Sequence, residues 1–415
     1  MTAERGVSGS DRSASIGRPL RVAHLDHTSV TGGAELALLR MLRAEPTWSA
    51  VVLVAPPTGH DGADVYAGLP AEVPHLVVGV RQPAGASRGG VGAAVGLGLR
   101  LAAQAIRLRA AAPFRHADLV DANTARAAAF GALAVRLSHK PFVVHLRDLV
   151  DPGALGRSGH ALMVRVVLPR ADGVVANSRA TLESARPYLR PGAVAEVIPS
   201  ASGLRPAPES TSPDAASGCL GPVRTVGMVA RIDPWKGQQL LLEAFATAFR
   251  VGDARLQFAG RPLFGHEQHL DDLRRRAAEL GIADRVDFLG HVDEVAALIA
   301  DWDVAVQAST RPEPLGQNVL QYLAAGRAVI AADEGGPREW IVDGENGLLV
   351  PPRDVEALAA ALRRLDADAP LRARLADAAS RTPGLLDDAA VAEAHAALYR
   401  RVIASVDARR DASRR

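Results

Sequence analysis

The chain has a single cysteine, Cys219, two lysines, Lys140 and Lys236, and only 4% aromatic residues in 415. One thiol excludes an intramolecular disulfide framework and a cysteine metal cluster, so a reducing, cytoplasmic setting is the default expectation. No apolar run approaches the roughly 20 residues that cross a bilayer. The Ser/Gly-rich opening, residues 1–18, lacks the apolar stretch of a signal peptide and reads as disordered. Charge of one sign is missing too: 48 Lys and Arg face 46 Asp and Glu, for a net +2. That balance argues against nucleic-acid binding as the main task.

What is present is 48% hydrophobic residues, enough for two domains of ordinary size. From Leu20 onward short apolar runs alternate with helical stretches, the pattern of parallel sheets covered on both faces. Seven strands are expected in the first half (21–25, 50–55, 76–80, 119–122, 142–145, 173–176 and 195–198) and six in the second (225–230, 255–259, 286–289, 304–308, 328–332 and 347–350). The Pro/Ser/Ala-rich stretch 203–222 has no period and reads as a linker. The expected organisation is therefore a Rossmann-like domain at 19–202, a second at 223–384, an amphipathic helix at 385–405 and a frayed end at 406–415. Ligands in such sheets sit at the carboxyl ends of the strands, here in a cleft between the domains.

The chemistry concentrates between Arg311 and Pro352. Glu313, Pro314, Leu315 and Gly316 precede a short helix at 318–325, whose unpaired N–H groups and positive dipole end attract phosphate. A buried strand, the turn Gly335-Gly336-Pro337 and the run Asn346-Gly347-Leu348-Leu349-Val350 follow. This segment resembles the donor site of the retaining glycosyltransferases of family 4, which have the GT-B fold: a Glu, seven residues and a second Glu, then a small-residue helix, a strand and a Gly-Gly turn. The first Glu is Glu313, but the second position holds Gln321. An amide can still bond a ribose hydroxyl, without charge assistance.

A second match is Gly227 to Arg231 followed by Pro234-Trp235-Lys236-Gly237, which resembles the loop that presents an Arg and a Lys to the donor diphosphate. Two fixed cations lower the barrier to departure of that group without a metal; the bland alternative is a loop whose cations are solvated. The resemblance implies a metal-independent enzyme with no cofactor, which moves a sugar from a nucleoside-diphosphate sugar to an acceptor. The acceptor is unidentified: a natural product, a lipid-linked sugar or a polysaccharide. Donor contacts carried over by the resemblance are Gly32, Gly33, Arg231, Lys236, Val292, Glu313, Leu315, Gly316, Gln317, Asn318 and Gln321. His145, at a strand end, is expected to reach the sugar from the acceptor side, with Arg147 and Asp148 beside it. The resemblance also implies that the last helix crosses back onto the first domain.

Several features have plainer readings. Gly32 and Gly33 between strand and helix can simply make the turn. Asp301-Trp302-Asp303 has a metal-holding spacing but lies where a turn is expected, and His266 and His269 lack a suitable third ligand. The helix 91–109, with Arg100, Arg107 and Arg109 and preceded by Arg88, suits either a weak peripheral membrane contact or cover for the sheet. Two rival functions share the donor site: a GT-B nucleotide-sugar epimerase and a non-catalytic sugar-nucleotide-binding protein. The acceptor loops 56–68 and 81–90 carry no readable motif.

Overall fold

The computed structural model describes residues 18–56, 64–81, 91–136, 138–204, 221–263 and 265–414. The expected disordered start and linker, and most of the two acceptor loops, lie outside these residues. The first half forms β1 (Arg21–Asp26), β2 (Ser49–Val54), β3 (His75–Val77), β4 (Leu119–Ala122), β5 (Phe142–Leu146), β6 (Gly173–Ala176) and β7 (Val194–Val197). They make one parallel sheet in the order β3-β2-β1-β4-β5-β6-β7. The second half forms β8 (Thr225–Val229), β9 (Arg255–Ala259), β10 (Val286–Gly290), β11 (Val304–Gln307), β12 (Ala328–Ala332) and β13 (Leu348–Val350), in the order β10-β9-β8-β11-β12-β13, again parallel. Both orders are those of doubly wound Rossmann-like sheets, so the α/β expectation holds. Strands such as β5 and β12 are buried along their whole length, which is why they read as unbroken apolar runs.

The last helix, Asp388–Arg414, presents Val391, His395, Leu398, Tyr399, Val402 and Val406 at helical spacing to the first domain's sheet, sharing a core with Val22, Trp48, Val143 and Val175. The helix packs so closely that a Cβ on Gly173 would stand 2.6 Å from Val402 Cγ2. The expected frayed end at 406–415 is instead helical to Arg414. It is held there by Arg409, which bonds Asp172 at 2.7 Å and the Gly192 carbonyl at 3.0 Å.

Two further contacts join the halves. Both oxygens of Glu339 accept from the N–H groups of Arg179 and Ala180, each at 2.7 Å, at the start of an N-domain helix. Gln317 donates its amide to the Ala201 carbonyl at 2.7 Å.

Candidate active site

In the second domain β8 ends at Val229, and the chain turns through Arg231 and the short helix Pro234–Lys236 before the helix Gln238–Ala248. Gly237 makes the turn with φ 81°, and a Cβ there would stand 1.8 Å from the Ala308 carbonyl oxygen. This close approach brings the loop against the end of β11. Lys236 Nζ donates to Glu313 Oε1 at 2.7 Å, Ser309 Oγ to the same oxygen at 2.5 Å, and Gln307 Nε2 to it at 3.5 Å. Burial alone would raise the Glu313 carboxyl, but the Lys236 charge and these hydrogen bonds outweigh it and hold the group below its ordinary range. The Glu313 carbonyl accepts from Gly336 N–H at 2.7 Å, which ties the Gly-Gly turn to the Glu313 loop.

Arg231 lies in the same loop, with Nη2 3.3 Å from Asp233 Oδ2. His266, which with His269 lacked a suitable third ligand in the sequence, approaches the same Asp233 oxygen at 3.8 Å. Gly316, at φ 76°, starts the helix Gln317–Ala324, whose first amides face no earlier helical carbonyl. Leu315 and Gln321 are buried. Two residues expected at the donor use their side chains elsewhere. Gln317 reaches the first domain, and Asn318 donates to the Val229 carbonyl at 3.2 Å, bracing the end of β8. Val292 lies beyond β10, the outer strand of the sheet, with β9 between it and the Arg231 loop. Asp303 accepts from the N–H groups of Arg224 and Thr225 at 2.8 and 2.9 Å, the role of a turn residue.

In the first domain, strand alternation puts His24, Asp121 and His145 on the face covered by the last helix. Asp121 Oδ2 meets His24 Nδ1 at 3.0 Å and His145 Nε2 at 3.1 Å, and accepts from Tyr399 Oη at 2.7 Å. The His145 ring stacks on His395 with centroids 5.0 Å apart. The His145 side chain, expected to reach the sugar, is thus turned into the core and engaged there. Arg147 is also committed: it donates to the Asn123 carbonyl at 3.0 Å, to Asn123 Oδ1 at 2.5 Å and to Ser200 Oγ at 3.2 Å. Asp148 is exposed.

Sequence reasoning passed over the cluster at the carboxyl end of β1. Asp26 is fully buried and accepts from Tyr66 Oη at 2.5 Å, Asn123 Nδ2 at 2.6 Å and His27 N–H at 2.6 Å. Beside it Glu35 is 5% exposed, in the first turn of the helix Gly33–Arg43. One polar atom each of Asp26, His27 and Glu35 lie within 4.8 Å of one another. Among the described residues this is the grouping closest in form to a metal site, though hydrogen bonds already use the Asp26 lone pairs. Burial first, and Asp26 second, push Glu35 up to about 7. The available signal was Gly32-Gly33-Ala34-Glu35, a Glu at the third position of a helix after glycines.

Residues 31–201 match the family model described as Glycosyltransferase Family 4, and residues 220–382 the one described as Glycosyl transferases group 1. The chain belongs to the family 4 glycosyltransferases. Curated members similar to this family 4 chain include the lipopolysaccharide core biosynthesis glycosyltransferase LpsE of Rhizobium meliloti, 37% identical over 142 residues, 34% of this chain and 39% of that protein. Another is the D-inositol 3-phosphate glycosyltransferase of Stackebrandtia nassauensis, 37% identical over 174 residues, 40% of this chain and 37% of that protein. The chain thus spans about two fifths of the length of these relatives. The crystal structure of Anabaena HepE in complex with UDP covers 91% of this chain and 98% of its own, with a TM-score of 0.72 and 27% identity. The two-domain architecture is the GT-B fold.

Proposed function

We propose that this family 4 protein transfers a sugar from a nucleoside-diphosphate sugar to an acceptor hydroxyl, with retention at the anomeric carbon and without a metal. The observation that carries the reading is the part-buried Lys236–Glu313 pair, 2.7 Å apart, between the Arg231 loop and the helix start at Gln317. Lys236 and Arg231 supply positive charge where the leaving diphosphate becomes more negative. Lys236 also holds Glu313 ionised, so that the carboxylate can accept from donor-sugar hydroxyls and favour a developing oxocarbenium ion. The HepE likeness, at 27% identity and with UDP bound in that protein, makes uridine diphosphate sugars the first donors to try. Retention rests on the family resemblance.

Among the described residues no helix is long and apolar enough to cross a membrane. The helix Val91–Ala110 buries Leu101, Ala105 and Leu108 against the first domain's core and leaves Leu99 and Ile106 exposed beside Arg100 and Arg107. We infer that this face makes any weak contact the protein has with an anionic membrane.

The deciding experiment is product analysis by proton NMR with UDP-glucose and a panel of hydroxyl acceptors, in excess chelator. Diphosphate release with an α-linked product supports the reading. A β-linked product overturns retention, and activity lost to chelator and restored by magnesium overturns metal independence. Nucleotide binding without any diphosphate release would make the protein a binder rather than a transferase.

A further inference from the structure

Two neighbouring helices of the first domain pack very differently. Ala125–Val135, which follows β4, buries eight of its eleven residues. Pro152–Leu162, which follows β5, has none fully buried. This second helix is broken at Gly156, where φ is 69° and ψ 160°, and it widens into a π turn at Met163–Val167. Interruptions of both kinds bend a helix away from the line it would otherwise follow. Between it and its neighbours lies a cavity of about 220 Å³, walled by Leu97, Leu101, Ala129, Leu155, Leu162 and Met163. Protein interiors are packed as densely as organic crystals, and a dry apolar cavity of about 150 Å³ is already large enough to take benzene. The space beside this helix therefore has room for a run of hydrocarbon.

Three features of its surroundings select the ligand. Among the described lining residues Arg126 is the one charged group, and burial holds its guanidinium below the ordinary range. A cation partly removed from water beside an apolar space favours a ligand whose hydrocarbon ends in an anion. Second, Leu97 and Leu101 of the wall belong to the helix that exposes Leu99 and Ile106 beside Arg100 and Arg107, the face inferred above to meet an anionic membrane. Third, the cavity lies toward the cleft. The helices Ala125–Val135 and Pro152–Leu162 both start at the carboxyl end of the sheet, and in the loop before Pro152 the residue Asp148 is close enough to Arg231 to feel its charge. The exposed lining residues Ala154 and Ser158 mark the mouth.

We propose that this cavity seats the hydrocarbon chain of a lipid-linked acceptor, a sugar joined through phosphate to a long apolar chain, with the phosphate against Arg126 and the sugar hydroxyl toward the Arg231 loop. The part of the chain next to the phosphate fills the cavity, and the rest stays with the membrane-facing side of the helix Val91–Ala110. No chemical step is added to the transfer. A free sugar or a polysaccharide has no apolar part to fill such a space, so the cavity separates the lipid-linked acceptor from those two. That the ligand is an acceptor rests on the donor reading above; that an anionic hydrocarbon binds here does not.

Titration calorimetry of the full-length protein with n-alkyl phosphates from butyl to decyl, each below its micelle concentration, tests the site without a donor. Affinity should rise up to about fourfold with each methylene that enters the cavity and level off once the cavity is full. Ala129→Leu fills part of the space and should weaken octyl phosphate binding at least about tenfold. Ser158→Trp, at the exposed mouth, should do the same and keeps the test decisive if Ala129→Leu fails to fold. Arg126→Gln should bring octyl phosphate down toward the affinity of n-octanol, whose own binding it leaves unchanged. No binding, an affinity that keeps climbing with chain length, or equal binding by the wall and mouth variants overturns the site. For the acceptor role, glucose linked to octyl phosphate is set against free glucose in the transfer assay. Transfer at least about tenfold faster to the linked sugar, lost in Ser158→Trp, supports the role, and equal rates overturn it. Octyl phosphate bound in the cavity with no transfer from any nucleoside-diphosphate sugar overturns the donor reading and the acceptor role, and leaves the hydrocarbon site standing.

Discussion

Glu313 and Glu35 are equally buried, each 5% exposed, and both lie at the carboxyl end of a parallel sheet, yet their acidities move in opposite directions. Glu313 is held below its ordinary range, and Glu35 is pushed up to about 7. Burial acts upward on both. The difference is the neighbouring charge that acts most strongly: Lys236 at 2.7 Å for Glu313, the Asp26 carboxylate for Glu35. Burial raises both carboxyls; a facing cation reverses that at Glu313, and a facing carboxylate adds to it at Glu35. One domain holds a pair of opposite charges, the other a carboxyl whose charge changes near neutral pH.

The largest expected effect comes from removing the cations on the second-domain side. Lys236→Ala or Arg231→Ala should lower turnover by roughly two to three powers of ten, the scale of losing one preorganised charge-stabilising donor. Full turnover in both variants would remove this loop from the mechanism. Lys236→Met sharpens the comparison further, because Glu313 then keeps its burial and loses its cation. Its carboxyl should rise above the ordinary range, as Glu35 does, a change that carbon-13 NMR of the labelled carboxylate reads directly.

The next effect is on stability against pH. Glu35 has an ordinary value of 4.5 and a folded value of about 7. Between those values the folded state holds a proton that the unfolded state has lost, so this group's term makes stability fall as pH rises. His395 works the other way. Burial first, then the neighbouring His145, takes it from 6.5 to about 3. Across that window the unfolded chain binds the extra proton, and stability falls as pH drops. Where the windows overlap, from about 4.5 to 6.5, the two slopes of about 1.4 kcal/mol per pH unit oppose each other. Glu35→Gln removes one of them. Urea unfolding should find the variant more stable than wild type by up to about 3 kcal/mol at pH 7.5 and equal to it near pH 4.5. A stability difference that does not change with pH would mean that Glu35 titrates normally.

The same contrast explains what could be read in the sequence. All thirteen strands were legible as short apolar runs between helical stretches, a local property, and the central ones such as β5 and β12 are buried on both faces. Glu313 and Lys236 were legible as a motif within one half of the chain. The direction of His145 was not. It depends on which face of β5 is covered, and the cover is a helix whose Tyr399 meets Asp121 from 278 residues away. The helical end at 406–414 was missed for the same reason, since Arg409 and Asp172 are 237 residues apart. Gln317 looked like a donor contact because it opens the right helix, but a carbonyl of the other domain lies within reach of its amide. Glu35 could be read as a helix-start residue; its proximity to Asp26 could not.

The smallest effect belongs to Gln321, where the chain departs from its family's two carboxylates. The residue lies in the helix Gln317–Ala324 and is 9% exposed. Eight positions after Glu313, it stands where the resemblance puts the ribose contact. A neutral hydrogen bond nets about 1 kcal/mol and one to a charged group about 1.5 to 3, so Gln321→Glu should strengthen UDP binding by roughly 1 kcal/mol, about fivefold in Kd. The new carboxylate would meet a situation like that of Glu313 if Arg231 or Lys236 faces it, and one like that of Glu35 if Glu313 is its nearer neighbour. The two cases separate in the pH dependence of Kd. A paired carboxylate gives the gain uniformly from pH 6 to 8. A carboxylate crowded by Glu313 gives it only toward pH 8, where the raised group has ionised. Calorimetry on both proteins over that range decides between them: unchanged affinity throughout would take Gln321 away from the ribose, and weaker binding would mean that the pocket is built around the amide.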